Sequence, residues 1–222
     1  MNHWSKKKTF KKSCSLPIFF EHGYQTYPIR HIQNTISLVQ SGRLFSLNWD
    51  ALDLDIIPNE IKQLVTNNQK ELTLSLGYNH ISDINVLMEL KQITRLILKF
   101  NPIVSIPQTI VKLTNLAILD LSSCLLRSLP AEIINMKIED VLISNNPLLT
   151  EEEVKALNDK ISFESLNNDI QKNICRNVLM CSVCENETCN YQSFYKIKRC
   201  YGMNIPFEYI ICSYNCFKKI HS

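Results

Sequence analysis

Residues 93–115 read ITRLILKFNPIVSIPQTIVKLTN, and residues 116–138 read LAILDLSSCLLRSLPAEIINMKI. Aligned, Ile93, Leu96, Leu98, Asn101, Ile103, Ile106, Pro107, Ile110 and Leu113 fall over Leu116, Leu119, Leu121, Cys124, Leu126, Leu129, Pro130, Ile133 and Met136, an offset of 23 residues. That period is too long for a helix or a strand and suits one coil of a stacked repeat. Within each copy the apolar residues first alternate and then space out, so no single 3.6-residue or 2-residue period describes the segment.

Three further copies flank this pair. The position of Asn101 and Cys124 is occupied by Asn79 before them and Asn146 after them, at spacings of 22, 23 and 22 residues. An inward-pointing Asn at this point can bond the backbone of the turn that leaves the strand, and Cys is a small, buriable substitute with a weak donor. The first copy (Leu44, Leu47, Trp49, Leu54, Ile57, Pro58) carries Leu52 at that position and should be irregular. The second has Glu71 at its first apolar position and Asn85 in place of Pro, and the fifth (Ile138, Val141, Ile143, Asn146, Leu148) stops halfway. Irregular ends suit a stack whose terminal faces meet water.

The template L-x-x-L-x-L-x-x-N/C-x-L, followed by Pro, resembles the leucine-rich-repeat superfamily, specifically its short intracellular type. The resemblance covers about five repeats and implies an α/β fold: a leucine-rich-repeat solenoid with short parallel strands on its concave face, helical caps and a small C-terminal Cys-rich module. The expected organisation is a basic disordered tail (1–27), an N-terminal capping helix (28–43), repeats (44–149), cap and linker helices (150–180) and the Cys-rich module (181–222). Ile32, Ile36 and Val39 lie at helical spacing before Ser41-Gly42, and Thr150-Glu151-Glu152-Glu153 is a capping-box sequence opening a helix whose Val154, Leu157 and Ile161 can cover the last coil.

Charge divides the chain. Residues 1–30 carry +5 and residues 196–222 carry +4, leaving −6 between them. An acidic middle argues against a nucleic-acid-binding concave face. No apolar run approaches the roughly 18 residues of a membrane span. Leu16 to Phe20, preceded by Lys6, Lys7, Lys8, Lys11 and Lys12, is too short and contains Pro17, so it does not read as a signal-peptide core. The expectation is an intracellular, cytoplasmic protein, with nuclear residence the alternative. The lysine run reads as a solvated tail, set against a nuclear-import signal or an anionic-surface tether.

Six of the nine cysteines fall in the last 42 residues, including Cys181-x-x-Cys184 and Cys212-x-x-x-Cys216. A CxxC turn and a helix-starting CxxxC can each present two thiolates to one metal, closing a tetrahedral zinc site that holds together a segment too small for its own core. Disulfides and a metal-free hairpin are the competing readings, disulfides being tied to oxidising compartments. Strand-like residues Tyr191–Ile197 and Phe207–Ile211 flank an expected turn at Gly202 and Pro206. The sequence Ile211-Cys212-Ser213-Tyr214-Asn215-Cys216-Phe217 resembles the Phe-Cys-Ser-x-x-Cys element of FCS/MYM-type treble-clef fingers, with Ile211 in place of Phe. That resemblance makes Cys181, Cys184, Cys212 and Cys216 the ligands of one structural Zn2+. The repeats and tail together also resemble a group of animal intracellular leucine-rich-repeat proteins with a short helical linker, here Leu166 to Met180. Cys189 and Cys200 could pair, substitute as ligands or remain plain thiols, and Cys14 and Cys175 are read as unremarkable.

The concave face should present the third, fifth, seventh and eighth positions of each strand. Tyr78 and Phe100 occupy one such position in adjacent coils and should be neighbours, while Arg95, Ile97, Ile118 and Leu142 extend an apolar strip edged by Lys99, Asp120 and Asp140. Aromatic and Arg anchors around apolar residues mark a binding surface. Catalysis finds no support: there is no phosphate loop, the five His show no triad or metal spacing, and a four-thiolate site leaves zinc no open position. The expected function is a monomeric, non-catalytic adaptor that binds another protein, with no membrane role. The competing class is a nucleic-acid or chromatin binder using Lys196, Lys198, Arg199, Lys218 and Lys219 with Tyr191, Phe194 and Tyr195.

Overall fold

The computed structural model describes residues 26–65, 71–161, 179–188 and 191–221. The expected N-terminal tail up to residue 25, most of the 166–180 linker helix, Cys14, Cys175 and Cys189 lie outside the described residues.

Five short strands form one parallel sheet in chain order: β1 (Ser46–Asn48), β2 (Leu72–Ser75), β3 (Ile93–Ile97), β4 (Ile118–Asp120) and β6 (Asp140–Leu142). Short 3-10 turns such as Asn59–Leu64, Asn85–Glu89, Gln108–Lys112 and Ala131–Asn135 return the chain on the opposite side. The arrangement is leucine-rich-repeat-like. Leu47, Leu74, Leu96 and Leu119 are aligned across successive strands and fully buried, and Val141 joins them at the end of the row.

The turn-forming side chains act between coils. Asn79 donates from Nδ2 to the carbonyls of Trp49 and Leu76, and its Oδ1 accepts from the backbone N–H groups of Leu52 and Leu54. Asn101 donates to Leu76 and Leu98 and accepts from Ile81. Asn146 donates to Leu121 and Ile143 and accepts from Leu126. Cys124 has only a thiol to offer, directed to the Leu98 carbonyl at 3.4 Å. Burial raises the pKa of this thiol, which keeps it a donor.

Helix α1 (Thr26–Gln40) closes the first coil with Ile32, Ile36 and Val39 inward, and Gly42 takes the left-handed conformation (φ +69°) just beyond it. Trp49 is fully buried beneath the helix and donates from Nε1 to Thr35 Oγ1 at 3.0 Å.

The C-terminal half departs from expectation. Helix α2 (Glu151–Asn158) has the capping box, with Thr150 Oγ1 accepting from Glu153 N and Glu153 Oε2 from Thr150 N. It packs, however, on β9 (Gln192–Cys200), and Leu157 is exposed while Val154 is buried. Asn158 acts as a one-residue strand: its Oδ1 accepts from Tyr195 N and its Nδ2 donates to Tyr195 O.

Leu179–Met180 is no helix end; it forms β7, paired with β8 (Glu187–Thr188) around the CxxC turn. Strand β9 pairs antiparallel with β10 (Met203–Ile211), and helix α3 (Tyr214–His221) follows. The hairpin turns at Tyr201-Gly202, whereas Pro206 lies inside β10 opposite Ile197, not in the turn. Because both backbone groups of Tyr195 serve Asn158, the Tyr195–Glu208 pair makes no ladder bonds, and neither does Ile197–Pro206 two residues along. Pro206 therefore removes no bond from this ladder.

The other edge of β10 pairs in parallel with β5 (Leu129–Pro130), on the outer side of the fourth coil. Phe194, Ile205, Phe207, Tyr209 and Ile211 join the same hydrophobic cluster as the repeats. The Cys-rich module thus shares the repeat core.

Candidate metal centre and concave face

The β7–β8 turn, the end of β10 and the first turn of α3 bring four sulfurs together. The Sγ atoms of Cys181, Cys184, Cys212 and Cys216 all lie within 4.8 Å of one another, with Cys184–Cys212 at 3.6 Å and Cys212–Cys216 at 3.7 Å. A tetrahedral ion with Zn–S bonds of about 2.3 Å sets sulfurs about 3.8 Å apart. The four thiols fit such an ion, and none of the described cysteines is in a disulfide. Cys200, at the far end of β9, is outside the cluster.

Electrostatics prepares the cluster unevenly. Burial opposes ionisation of Cys181, but the backbone N–H groups of Cys184, Val183 and Cys212, with the Cys184 thiol, outweigh it and bring the pKa down to about 7. Cys212 is pushed well up by burial and by its bonds to Cys184, Cys181 and Cys216. Cys216 is also raised by burial, with Ser213 opposing. Ser213 Oγ accepts from Cys216 N, capping the first turn of α3. One ready thiolate beside protonated neighbours is a site that takes up a cation with loss of protons.

Three polar side chains absent from the sequence-level site tie this cluster to the repeats. Glu132 Oε1 accepts from Ser182 Oγ at 2.7 Å and from Gln108 Nε2 at 2.8 Å. Gln108 also donates to the Met180 carbonyl, and Ser182 exchanges bonds with the backbone of Ile210. Glu132 Oε2 is buried without a hydrogen-bond partner among the described residues. A Glu or Gln after a repeat's Pro looks like an ordinary solvated residue, so no sequence pattern announced them.

The five-stranded sheet aligns the residues expected to form the binding face in rows. One row is Arg95, Ile118 and Asp140, and the next is Ile97, Asp120 and Leu142. Tyr78 and Phe100 stack with ring centroids 4.5 Å apart, and Lys99 Nζ stands 5.3 Å from the Tyr78 ring centroid. The rings remain half exposed, as does Leu142, whereas Ile97 and Ile118 are half-buried. Ala51, Tyr78, Phe100, Ser123 and Asn145, one per coil, all have φ between +54° and +58°. Asp50 is committed internally, accepting from Ser75 Oγ and Gly77 N.

The residues weighed for nucleic-acid contact are largely engaged elsewhere. Phe194 is buried, Tyr195 donates to Glu208 Oε1, Lys196 donates to the Ile220 carbonyl, and Lys198 and Lys218 lie over the Tyr209 and Tyr214 rings.

No family model matches the chain, and no curated protein is significantly similar to it. Among solved structures, a leucine-rich-repeat protein of Leptospira interrogans matches with 22% identity and a TM-score of 0.40, over 53% of this chain and 35% of that one. No helix among the described residues is long and apolar enough to cross a membrane.

Proposed function

We propose that the chain is a non-catalytic adaptor: a leucine-rich-repeat solenoid that binds another protein on its concave face, carrying a treble-clef-like module built around one structural zinc ion. The observation that carries this reading is the Tyr78–Phe100 stack, two large rings held half exposed in a backbone conformation that disfavours them. Arg95, Ile97, Lys99, Ile118, Asp120, Asp140 and Leu142 continue the surface with the apolar centre and charged rim of a binding patch.

Cys181, Cys184, Cys212 and Cys216 would hold the zinc with no coordination position left for water, so the ion supplies structure and no reaction. Scaffolding in signalling, or substrate recognition for a ubiquitin ligase, is the finer role suggested by the resemblance of repeats and tail to intracellular repeat proteins. A cytoplasmic, monomeric protein is part of the same reading.

The test is capture of partners from cells by the full chain, by Tyr78→Ala with Phe100→Ala, and by Leu125→Ala, which trims an exposed apolar residue outside the concave strip. Loss of a partner with the aromatic double variant alone supports the concave site. A folded double variant that captures the same partners equally well removes it.

A further inference from the structure

At the N-terminal end of the stack, a groove of about 400 Å³ lies between the start of α1 and the chain that leaves β1. Ile29 and Ile32 of the helix line it together with Leu54 and Ile56. Ile29 is 54% exposed and Ile56 72%, so the walls offer apolar surface that the described residues do not cover. The rim is acidic: Asp53, Asp55 and Glu60 line the groove, and no Lys, Arg or His does. His80 contacts Asp53 from outside at 2.9 Å, yet that carboxylate stays 90% exposed. An apolar trough with carboxylates and no lining base calls for an apolar segment flanked by positive charge.

One such segment belongs to this chain and precedes, in sequence, the first residue that lines the groove. Lys6, Lys7, Lys8, Lys11 and Lys12 precede Leu16, Ile18, Phe19 and Phe20, all outside the described residues. Seven residues separate Phe20 from Pro28, the first residue lining the groove. That connection can span up to about 28 Å, enough to turn back onto Ile29 and Ile56. Tethering supplies an effective concentration on the order of millimolar, so modest apolar burial and a few screened charge contacts suffice.

We propose that this groove is the docking site for the chain's own Lys6–Phe20 stretch, with the apolar residues on Ile29 and Ile56 and the lysines along the Asp53, Asp55 and Glu60 rim. The contact is independent of the concave face, so its failure leaves that reading untouched.

Limited trypsin digestion of the full chain, mapped by mass spectrometry, tests it. Cleavage after Lys6 to Lys12 should be at least about tenfold slower than in a free peptide of residues 1–25, because only the undocked fraction is cut. Ile56→Ser combined with Asp55→Asn and Glu60→Gln should restore the peptide's rate with the thermal melt unchanged. Raising salt from about 50 to about 500 mM should move the parent chain in the same direction. Cleavage of the parent at the peptide's rate, or protection indifferent to the groove variant, overturns the proposal. Protection that disappears on dilution assigns the groove to a second copy's segment and overturns it as well.

Discussion

Tyr78 and Phe100 lie one coil apart with their rings 12° from parallel, and both residues are left-handed, at φ +57° and +56°. The conformation costs a residue with a side chain about 1–2 kcal/mol, and an aromatic stack returns about 0.5–1.5 kcal/mol. Two such residues cost about 2–4 kcal/mol together, more than one stack returns, so on these two terms the pair does not favour folding.

Tyr78→Asn with Phe100→Asn separates stability from binding. Asn tolerates the left-handed region, so the unfolding free energy should stay within about 1 kcal/mol of the parent. Affinity for a concave-face partner should fall at least about 30-fold, the loss expected of a hot-spot pair. Thermal melts and equilibrium binding measure the two. A large loss of stability with affinity intact would mean that the rings serve the fold.

The cysteine centre predicts its own stoichiometry. Native mass spectrometry of zinc-reconstituted protein should find one ion per chain, and Cys212→Ser should lose it. Since β10 pairs with β5, that variant should also speed hydrogen exchange at Leu129. Zinc bound equally by the variant would mean that these four sulfurs are not the ligand set.

Zinc uptake should release protons in a pH-dependent number. The metal-free Cys181 thiol has a pKa of about 7, so it carries a proton at pH 6 and has mostly lost it at pH 8. Cys212 and Cys216, raised by burial, stay protonated over that range. Protons released per zinc should therefore fall by about one between pH 6 and pH 8. Calorimetry in buffers of different ionisation enthalpy reads this directly, and a constant number would contradict the Cys181 assignment. The same shift has a stability sign. Ionised Cys181 favours the metal-free fold above the unfolded thiol pKa, and that contribution disappears as pH falls through 7.

Where residues repeat at a fixed offset, the sequence alone displays the structure. Leu96, Leu98 and Asn101 recur at Leu119, Leu121 and Cys124, so strand, core and turn could be placed, and the Tyr78–Phe100 stack follows from equal positions in adjacent coils. The four cysteines were legible because CxxC and CxxxC place sulfurs by local geometry. What joins the module to the repeats was not. Pro206 suggests a turn, and only the engagement of Tyr195 by Asn158 leaves its strand position free of a ladder bond. Gln108, Glu132 and Asn158 are polar residues at positions that usually meet water, and single long-range contacts leave no periodic trace.

The inter-coil asparagines should outweigh their cysteine counterpart. Asn101→Ala takes the acceptor from the Ile81 N–H and one donor each from the Leu76 and Leu98 carbonyls, which keep Asn79 Nδ2 and the Cys124 thiol, for an expected loss of about 2 kcal/mol. Cys124→Ala removes weak thiol bonds and little volume, costing about 1 kcal/mol. Denaturant midpoints at constant m compare them. Equal losses would show that packing, and not the amide, holds the turns.

Beside the β5–β10 pairing and the shared apolar core, Glu132 makes a polar link between the Cys-rich module and the coils. Its Oε1 receives both Gln108 and Ser182, while Oε2 is buried with no partner among the described residues, so one carboxylate combines two charge-assisted bonds with an unpaired oxygen. Glu132→Ala removes the shared acceptor and leaves two donors to find new partners, at an expected cost of about 1–3 kcal/mol. Glu132→Gln retains Oε1 and should cost less, because the unpaired group is then neutral. The alanine variant should also lower protection at Ile210, whose N–H donates to the Ser182 hydroxyl that Glu132 orients, before it affects Leu96 in the sheet. Hydrogen exchange resolved at those amides separates local release from global unfolding. If Glu132→Ala leaves Ile210 as protected as in the parent, the β5–β10 pairing and the shared apolar core suffice to hold the module, and the polar cluster only fills the space between them.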